Sequence, residues 1–449
     1  MVRRGRDFDE DDIRVRANPR GSRPRSRLRP EHEDAAEGMV VAVDRGRYTC
    51  LIDADAVQPV EEESGQRKPE KGKRRADAKS AAKSHGGNQA EGAAELGRGS
   101  HTRLVTAMKA RELGRKGVVV GDRVRLVGDL RGGPDSLARV VQVHPREHVL
   151  RRTADDTDPV ERVIVANADQ LVIVTALADP EPRPRMIDRC LVAAFDAGLS
   201  PLLCLTKADL ADPAPLLSAY EALGVPSIVT RRGGGLEQLH EALAGRISVL
   251  VGHSGVGKST LVNALVPDAD RAIGVVNDVT GRGRHTSTSA VALRLPEYVA
   301  VRPEPDDEPS AAESKPSRRA RKAAADALAA KPWTQPILFD DAELELLRER
   351  DPERAESARI LPEGWVIDTP GVRSFGLAHV SPDRVIEAFP DLAAVTAECP
   401  RGCTHAADAP DCALDEWLGS LAPGSEELAN ATARVDSVRR LLTALTEHS

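Results

Sequence analysis

The sequence predicts a multidomain protein with an N-terminal β-barrel, a central α/β sheet and a mainly helical C-terminal region. Three observations predict this order. Short runs rich in β-branched residues begin at Met39, and continuous apolar runs alternate with helical patterns from Val160. A last helical pattern follows three cysteines that fall within 14 residues. A chain of 449 residues is also too long for one compact core.

The barrel is predicted over residues 36–157. Runs such as "MVVAVDRGRYTCLID" and "VVVGDRVRLVG" are rich in Val, Ile, Thr and Tyr, and turns containing glycine separate them. About five strands fit, and an OB-type barrel is the commonest small example with a nucleic-acid function. Residues 61–100 carry almost no large apolar side chain, so we predict a disordered insertion there.

The first 35 residues show no apolar periodicity, and the stretch 14–30 carries seven arginines and no acidic residue. A disordered, solvated tail is one interpretation, and a basic arm that contacts RNA phosphates is another; both can hold. The whole chain has a net charge of −7 and 2% aromatic residues. Any nucleic-acid contact must therefore be local, and the composition disfavours base-stacking platforms.

The central region, 158–376, reads as a sheet covered on both faces. "QLVIVTAL", "PLLCLT", "SIVT", "ISVLVG" and "GWVID" are continuous apolar runs, and helical patterns lie between them. A polar, Ala-rich stretch at about 302–331 is predicted to be a solvent-exposed insertion. Residues 377–449 complete the chain with a cysteine cluster and a helix that has one apolar face.

Cellular location is indicated by two absences. No apolar run reaches about 18 residues, the length of a membrane span, and the N-terminus is charged from Arg3 onward. The six cysteines do not form the regular pattern of a disulfide framework. We therefore expect a cytoplasmic protein without a membrane segment or secretory signal.

A phosphate-binding loop is predicted at "GHSGVGKS", residues 252–259, which matches G-x-x-x-x-G-K-[ST]. Its glycines let successive backbone N–H groups point at a phosphate, Lys258 adds a positive charge, and the Ser259 hydroxyl binds Mg²⁺. An apolar strand precedes the loop and a helix follows it, as this motif requires. The residues predicted to bind nucleotide here are Gly252, His253, Ser254, Gly255, Val256, Gly257, Lys258, Ser259 and Thr260.

Two further segments suit a γ-phosphate. "VIDTPG" places Asp368 at a strand end, where a carboxylate can hold a Mg²⁺ water, and the Gly371 N–H can meet the phosphate. "GRGRHTSTS" at 281–289 lies between the two motifs, where a switch loop is expected. One hydroxyl among Thr286, Ser287 and Thr288 would coordinate Mg²⁺ when a γ-phosphate is present. An ordinary polar loop is the alternative.

The tetrapeptide "TKAD", residues 206–209, resembles a guanine-recognition motif. Asp209 can accept hydrogen bonds from both guanine N1–H and the exocyclic amine, and the stem of Lys207 would cover the base. Taken alone the tetrapeptide matches by chance as readily as by function, but its place after the strand "PLLCL" favours function. Thr206 and, in the next strand-end loop, Thr230 complete the predicted base pocket.

The order of these motifs is unusual. The base-recognition motif precedes the phosphate loop, whereas in a Ras-like GTPase it follows. The same sheet can form if the chain is circularly permuted, because neighbouring termini can be joined and the chain opened elsewhere. The permutation places the C-terminal region directly after Asp368–Gly371. We therefore hypothesise that a γ-phosphate-dependent movement of that segment pulls on the C-terminal region.

A metal site is predicted at "CPRGCTHAADAPDC". Three thiolates and one imidazole fill a tetrahedral Zn²⁺ shell and leave no open position, which is typical of a structural site. The alternative is three buried free cysteines beside a loop histidine. The predicted ligands are Cys399, Cys403, His405 and Cys412.

Together these features resemble the YjeQ/RsgA family of circularly permuted GTPases that depend on the small ribosomal subunit. The resemblance rests on the permuted order, on "GHSGVGKST", "GRGRHTST" and "DTPGVRSFGL", on the preceding barrel and on the Cys/His run. It implies an OB barrel, a central GTPase that binds GTP or GDP with Mg²⁺, and a zinc domain holding one Zn²⁺. It also implies late maturation of the 30S subunit, contact with its 16S rRNA, and hydrolysis stimulated by that subunit. We expect a monomer.

Three departures or gaps affect the expected mechanism. The family usually has Asn where this chain has Thr206, which removes an amide that would brace the base pocket. The zinc run has one residue fewer between its first two cysteines than the family pattern implies. Val372 stands where Ras-like enzymes place a water-orienting Gln, so intrinsic hydrolysis should be slow. His285 could orient the attacking water instead, or merely contact RNA or solvent.

Two rival functions stay open. The chain could be a binding module whose nucleotide site only fixes shape, or an ATP-using P-loop enzyme, which Thr206 makes conceivable. For RNA contact we single out Arg111, Arg115 and Lys116 on the barrel, although a surface charge run is usually only a solvated face.

Overall fold

The computed structural model describes residues 32, 34–44, 46–53, 102–114, 117–133, 136–153, 161–232, 234–266, 269, 290–296, 298–301, 337–339, 348, 359–369, 375, 377 and 380–446. Nearly all of the arginine arm and both predicted insertions lie outside these residues. All the helices and strands below belong to one unit, Asp34–Ser449.

Five strands close into a barrel near the N-terminus, as the sequence predicts. They are β1 (Ala36–Asp44), β2 (Arg47–Asp53), β3 (Thr102–Lys109), β4 (Arg123–Gly128) and β5 (Ala138–Val143). They pair in the order β1–β2–β3–β5–β4, and β4 returns to β1. Only β3 and β5 run parallel among these pairs. Alternating apolar residues such as Val40, Cys50 and Leu126 fill the interior.

A hairpin of β6 (Val149–Thr153) and β7 (Glu161–Ala166) follows the barrel and leads into the main sheet. The sheet contains β8 (Gln170–Ala176), β9 (Ser200–Thr206), β10 (Ser227–Val229), β11 (Ile247–Gly252) and β12 (Val291–Arg294). A separate small sheet holds β13 (Tyr298–Val301), β14 (Ile337–Phe339) and β15 (Arg359–Leu361). The main sheet is completed by β16 (Trp365–Asp368).

The main sheet has the order β10–β9–β8–β11–β16–β12, with only β12 antiparallel. Its carboxyl ends therefore bring the ends of β9, β11 and β16 to one edge. Among the described residues, four helices lie between its strands: α1 (Pro184–Asp196), α2 (Ala214–Glu221), α3 (Leu236–Leu243) and α4 (Lys258–Leu265). Every residue of β8 is buried, because α1 covers Leu171 and Ile173 on one face while α3 and α4 cover Val172 and Val174 on the other.

The C-terminal region is helical. It contains α5 (Pro382–Glu387), α6 (Pro390–Thr396), α7 (Ala413–Ser420) and α8 (Glu426–Thr446). α8 packs along α1, and two of its arginines donate to carbonyl oxygens at the end of α2: Arg440 to Ala219 at 3.1 Å and Arg434 to Ala222 at 2.8 Å. These charge-assisted bonds hold the helical region against the sheet layer. Within the described part of the chain, no helix combines the length and apolarity that crossing a membrane requires.

The barrel pairs with the main sheet and also packs on the β6–β7 hairpin that leads into it. β1 pairs with β12 at Ala42 and Val291, so that one continuous sheet runs through both. The loop before β4 packs on the end of β7, where the Asn167 side-chain amide donates to the Gly121 carbonyl at 2.9 Å and the Ala166 N–H donates to Val120 at 3.0 Å. The second junction depends on a glycine.

Replacing Gly121 with alanine is expected to destabilise the protein by about 3 kcal/mol or more. Gly121 has a φ of +88°, and an added Cβ would overlap the Ala166 carbonyl oxygen. Gly46 is the matched control because its φ is +85° and open space surrounds it, so Gly46→Ala should cost only about 1 kcal/mol. Urea unfolding measures both, and equal losses would contradict the role of the junction.

Candidate functional site

The phosphate loop lies between β11 and α4, at the carboxyl edge of the main sheet. Gly255 and Gly257 have φ values of +85° and +92°, in the left-handed region that glycine occupies without strain. A Cβ on Gly252 would lie 2.5 Å from the Val174 carbonyl oxygen, so a side chain cannot fit there. No side chain of the described residues caps α4, which leaves its first amides for an anion.

Lys258, the first residue of α4, meets the end of β16. Its Nζ donates to an Asp368 carboxylate oxygen and lies 3.5 Å from the Thr369 carbonyl oxygen. Thr369 in turn donates its hydroxyl to Leu250 of β11 at 2.8 Å. The fold thus unites a cation and a carboxylate that lie 110 residues apart in sequence. This pair can separate to bind phosphate with the cation and a Mg²⁺ water with the carboxylate.

The predicted base pocket lies at the end of β9. Lys207 has a φ of +59°, and its Nζ donates to the Asp179 carbonyl in the loop after β8. Asp209 follows in an exposed turn, where its carboxylate is open to a ligand. The neighbouring segment is held by the backbone, because Ala208 donates to the Thr230 carbonyl at 3.2 Å and Thr230 donates to Leu205 at 2.7 Å. The Thr230 side chain is itself buried.

Two hydrogen bonds to the phosphate loop could not be predicted from the sequence. Arg183, just before α1, donates to His253 Nε2 at 2.9 Å, while His253 Nδ1 lies 3.0 Å from the Ser254 carbonyl oxygen. The Thr206 hydroxyl donates to the Val256 carbonyl at 2.6 Å. In each pair the two residues come from different segments of the chain, so only the approach of the loop after β8 and of β9 to the phosphate loop reveals these contacts.

Further predicted site residues lie outside the described ranges. They are His285, Thr286, Ser287, Thr288, Gly371, Arg115 and Lys116. Arg111 is described, and it is exposed in a single helical turn that follows β3. Phe375, seven residues after Asp368, is also described. It is fully buried, and its carbonyl oxygen accepts a hydrogen bond from the Arg189 guanidinium of α1 at 2.6 Å. Arg189 also donates to Ala444 of α8 at 3.3 Å.

The four predicted metal ligands come together in the C-terminal region. One ligand atom from each of Cys399, Cys403, His405 and Cys412 lies within 4.8 Å of the others. His405 Nδ1 is 3.5 Å from Cys399 Sγ and 4.0 Å from Cys412 Sγ. The ligand atoms of a tetrahedral Zn²⁺ site lie roughly 3.5–4 Å apart. The chain has one residue fewer between Cys399 and Cys403 than the resemblance implies, but this shorter interval does not prevent the four residues from forming such a site.

The surroundings of the cluster also suit a cation. The Ala413 N–H donates to Cys399 Sγ at 3.3 Å and the His405 N–H to Cys403 Sγ at 3.4 Å, as outer partners of metal-bound thiolates do. Burial lowers the pKa of His405, which keeps the imidazole neutral and able to ligate. Arg439 of α8 donates to the His405 carbonyl at 3.1 Å and orients the loop.

The chain is similar to several known proteins. Residues 143–304 match the family model described as RsgA GTPase. The chain is 33% identical over 341 residues to the small ribosomal subunit biogenesis GTPase RsgA of Pseudomonas fluorescens SBW25, covering 74% of this chain and 76% of that protein. RsgA of Pseudomonas aeruginosa PAO1 is 32% identical with the same coverage. The structure of YjeQ from Thermotoga maritima has a TM-score of 0.49 and 20% identity, covering 92% of this chain and all of that one.

Proposed function

The chain belongs to the RsgA family of GTPases, and from that premise we propose that it hydrolyses GTP during maturation of the small ribosomal subunit, which stimulates the reaction. GTPase activity follows from membership. The observation that best supports the proposal is the Lys258–Asp368 pair, which lies at the same sheet edge as the exposed Asp209. A phosphate cradle and a base acceptor at one edge suit a guanine nucleotide.

Each residue has a proposed role in hydrolysis. Lys207 and Asp209 hold guanine, while Lys258 and the loop amides hold the phosphates. Ser259, Asp368 and one hydroxyl among 286–288 would hold Mg²⁺, which would supply positive charge to the phosphates when bound. The Gly371 N–H contacts the γ-phosphate. His285 orients a water that attacks the γ-phosphorus; the bond to the β–γ bridging oxygen breaks, and GDP and phosphate leave.

The remaining proposals concern partners. We place 16S rRNA contact on the OB-type barrel, at Arg111, Arg115 and Lys116, and on the zinc domain, with Zn²⁺ on Cys399, Cys403, His405 and Cys412. The pairing order of the barrel and its parallel β3–β5 pair support the OB interpretation. The exposure of Arg111 supports the RNA interpretation. A cytoplasmic monomer suits this role.

The deciding experiment compares GTP and ATP hydrolysis by the purified chain with and without small ribosomal subunits. Without subunits we expect the chain to hydrolyse GTP, and not ATP, slowly. With subunits the rate of GTP hydrolysis should rise about tenfold or more. His285→Ala should remove most of the stimulation. His144→Ala, a histidine after β5, should retain it.

The other outcomes identify the rivals. Slow turnover that subunits do not change would indicate a nucleotide-gated binding module. Preference for ATP would show that the base pocket does not read guanine. Full stimulation of His285→Ala would remove His285 from the mechanism while leaving the GTPase assignment intact.

A further inference from the structure

The loop between β8 and α1 packs on the phosphate loop and ends in an arginine. A Cβ on Gly255 would lie 3.5 Å from Pro180 Cδ, an ordinary van der Waals distance, so the two loops are in close contact. Arg183, the residue before α1, donates from Nη1 to His253 Nε2 at 2.9 Å. The loop after β8 therefore brings a guanidinium to the beginning of the phosphate loop.

The His253 ring holds this guanidinium as a neutral acceptor. Its Nδ1 lies 3.0 Å from the Ser254 carbonyl oxygen, and a carbonyl can only accept, so Nδ1 carries the ring hydrogen. Nε2 then presents a lone pair to Arg183 Nη1. The contact fixes the position of the guanidinium without neutralising its charge.

The charge of Arg183 is available to an anion. Among the described residues its side chain makes one hydrogen bond, to His253, and no ion pair. The residue is exposed, whereas the ammonium of Lys258 is paired with the Asp368 carboxylate. A guanidinium carries several N–H groups in one plane, and those that His253 does not use can donate to the oxygens of a phosphate.

The position of Arg183 suits the outermost phosphate of a nucleotide. Ser254 and Gly255, which follow His253, are exposed, while Val256 is buried. The exposed part of the loop is the part that an attacking water can also reach. His253 stands at the beginning of the loop and Lys258 at its end, so the two cations would approach a bound triphosphate from different ends of the loop.

We propose that Arg183 is a catalytic residue of GTP hydrolysis, whose guanidinium contacts the γ-phosphate oxygens and stabilises the charge they carry in the transition state. Water attacks the γ-phosphorus while the bond to the β–γ bridging oxygen breaks; the proton of the water leaves with the phosphate, and Arg183 stays protonated. An arginine supplied by the same chain can fill this role. The proposal rests on the proposed function, because it takes GTP as the substrate.

The test measures GTP turnover and GDP affinity of the full chain carrying Arg183→Ala. With small ribosomal subunits kcat should fall about 100-fold, and the basal rate should fall as well, because the lost contact stabilises the transition state. GDP has no γ-phosphate, so its dissociation constant should change by less than about twofold. Arg183→Lys should recover little activity, since an ammonium lacks the planar set of donors. Arg246→Ala, at the opposite edge of the sheet, should keep wild-type turnover.

The contact with His253 gives a second readout. His253→Leu removes the acceptor that holds the guanidinium, so kcat should fall about tenfold. Adding this change to Arg183→Ala should cost little more, because the two residues act through one contact. Fully additive losses would show that His253 does not position Arg183.

Three results would overturn the proposal. One is unchanged kcat in Arg183→Ala. Another is a GDP affinity that falls as far as kcat, which would make Arg183 a structural support of the phosphate loop. The third is loss of stimulation with an unchanged basal rate, which would indicate contact with RNA of the subunit instead. A wild-type chain that does not hydrolyse GTP would overturn the proposed function, and this proposal with it.

Discussion

Lys258→Ala is expected to lower GTP hydrolysis by at least about 100-fold, both alone and with small ribosomal subunits. Charge builds on the phosphate oxygens as the bond to the γ-phosphorus breaks, and the Lys258 ammonium is the cation at the head of α4 that can stabilise it. The side chain is 14% exposed, so that little water screens this charge. Steady-state phosphate release measures the effect.

A charge-conserving variant sharpens the test. Lys258→Arg keeps the positive charge but replaces a compact ammonium with a larger planar group, so it should lose nearly as much activity. Arg246→Ala, at an exposed position just before β11, controls for a general effect of removing a cation. Turnover of Lys258→Ala within about tenfold of the wild type would mean that the Lys258–Asp368 pair is only structural.

The second large effect is expected at the cysteine cluster. The wild-type chain should carry one Zn²⁺, and Cys412→Ser should lose it, because a neutral hydroxyl replaces a buried thiolate ligand. Metal binding supplies folding free energy in such sites, so the region from α5 to α8 should also lose its resistance to proteolysis. Elemental analysis and limited proteolysis measure the two results.

Cys190 provides the matched control. It is buried in α1, outside the cluster, and Cys190→Ala should keep the metal. Adding a strong chelator to the wild type should reproduce the proteolysis of Cys412→Ser. Wild-type protein that carries no metal, or a Cys412→Ser chain that keeps all of it, would contradict the proposed zinc site.

The sequence predicts those parts of the fold that the residues of one short segment determine. The five apolar runs of the central region become strands, and "GHSGVGKS" lies in the expected turn, because glycine geometry and strand burial are local properties. The barrel strands can likewise be predicted from runs rich in β-branched residues and from the glycine-containing turns between them. The cluster of Cys399, Cys403, His405 and Cys412 follows from spacing within one short segment.

Contacts between distant segments could not be predicted in the same way. The Lys258–Asp368 pair and the Thr206–Val256 bond depend on how strand ends meet, which no single segment encodes. The β6–β7 hairpin and the small sheet of β13–β15 are also not evident from the sequence, since their strands are short and flank polar stretches. The pairing of β1 with β12 depends on a single register position, Ala42 with Val291.

The place of β16 in the sheet has a consequence for how the chain is made. β16 fills the gap between β11 and β12, yet it is the last of the three to be synthesised. Until Trp365–Asp368 has emerged from the translating ribosome, one side of β11 has no neighbouring strand and stays open to incorrect pairing. The nascent chain therefore completes the pairing of β16 with β11 and β12 only after both of those strands have been made. A fragment ending before Trp365 is expected to sediment with aggregates, whereas one ending after α8 should not.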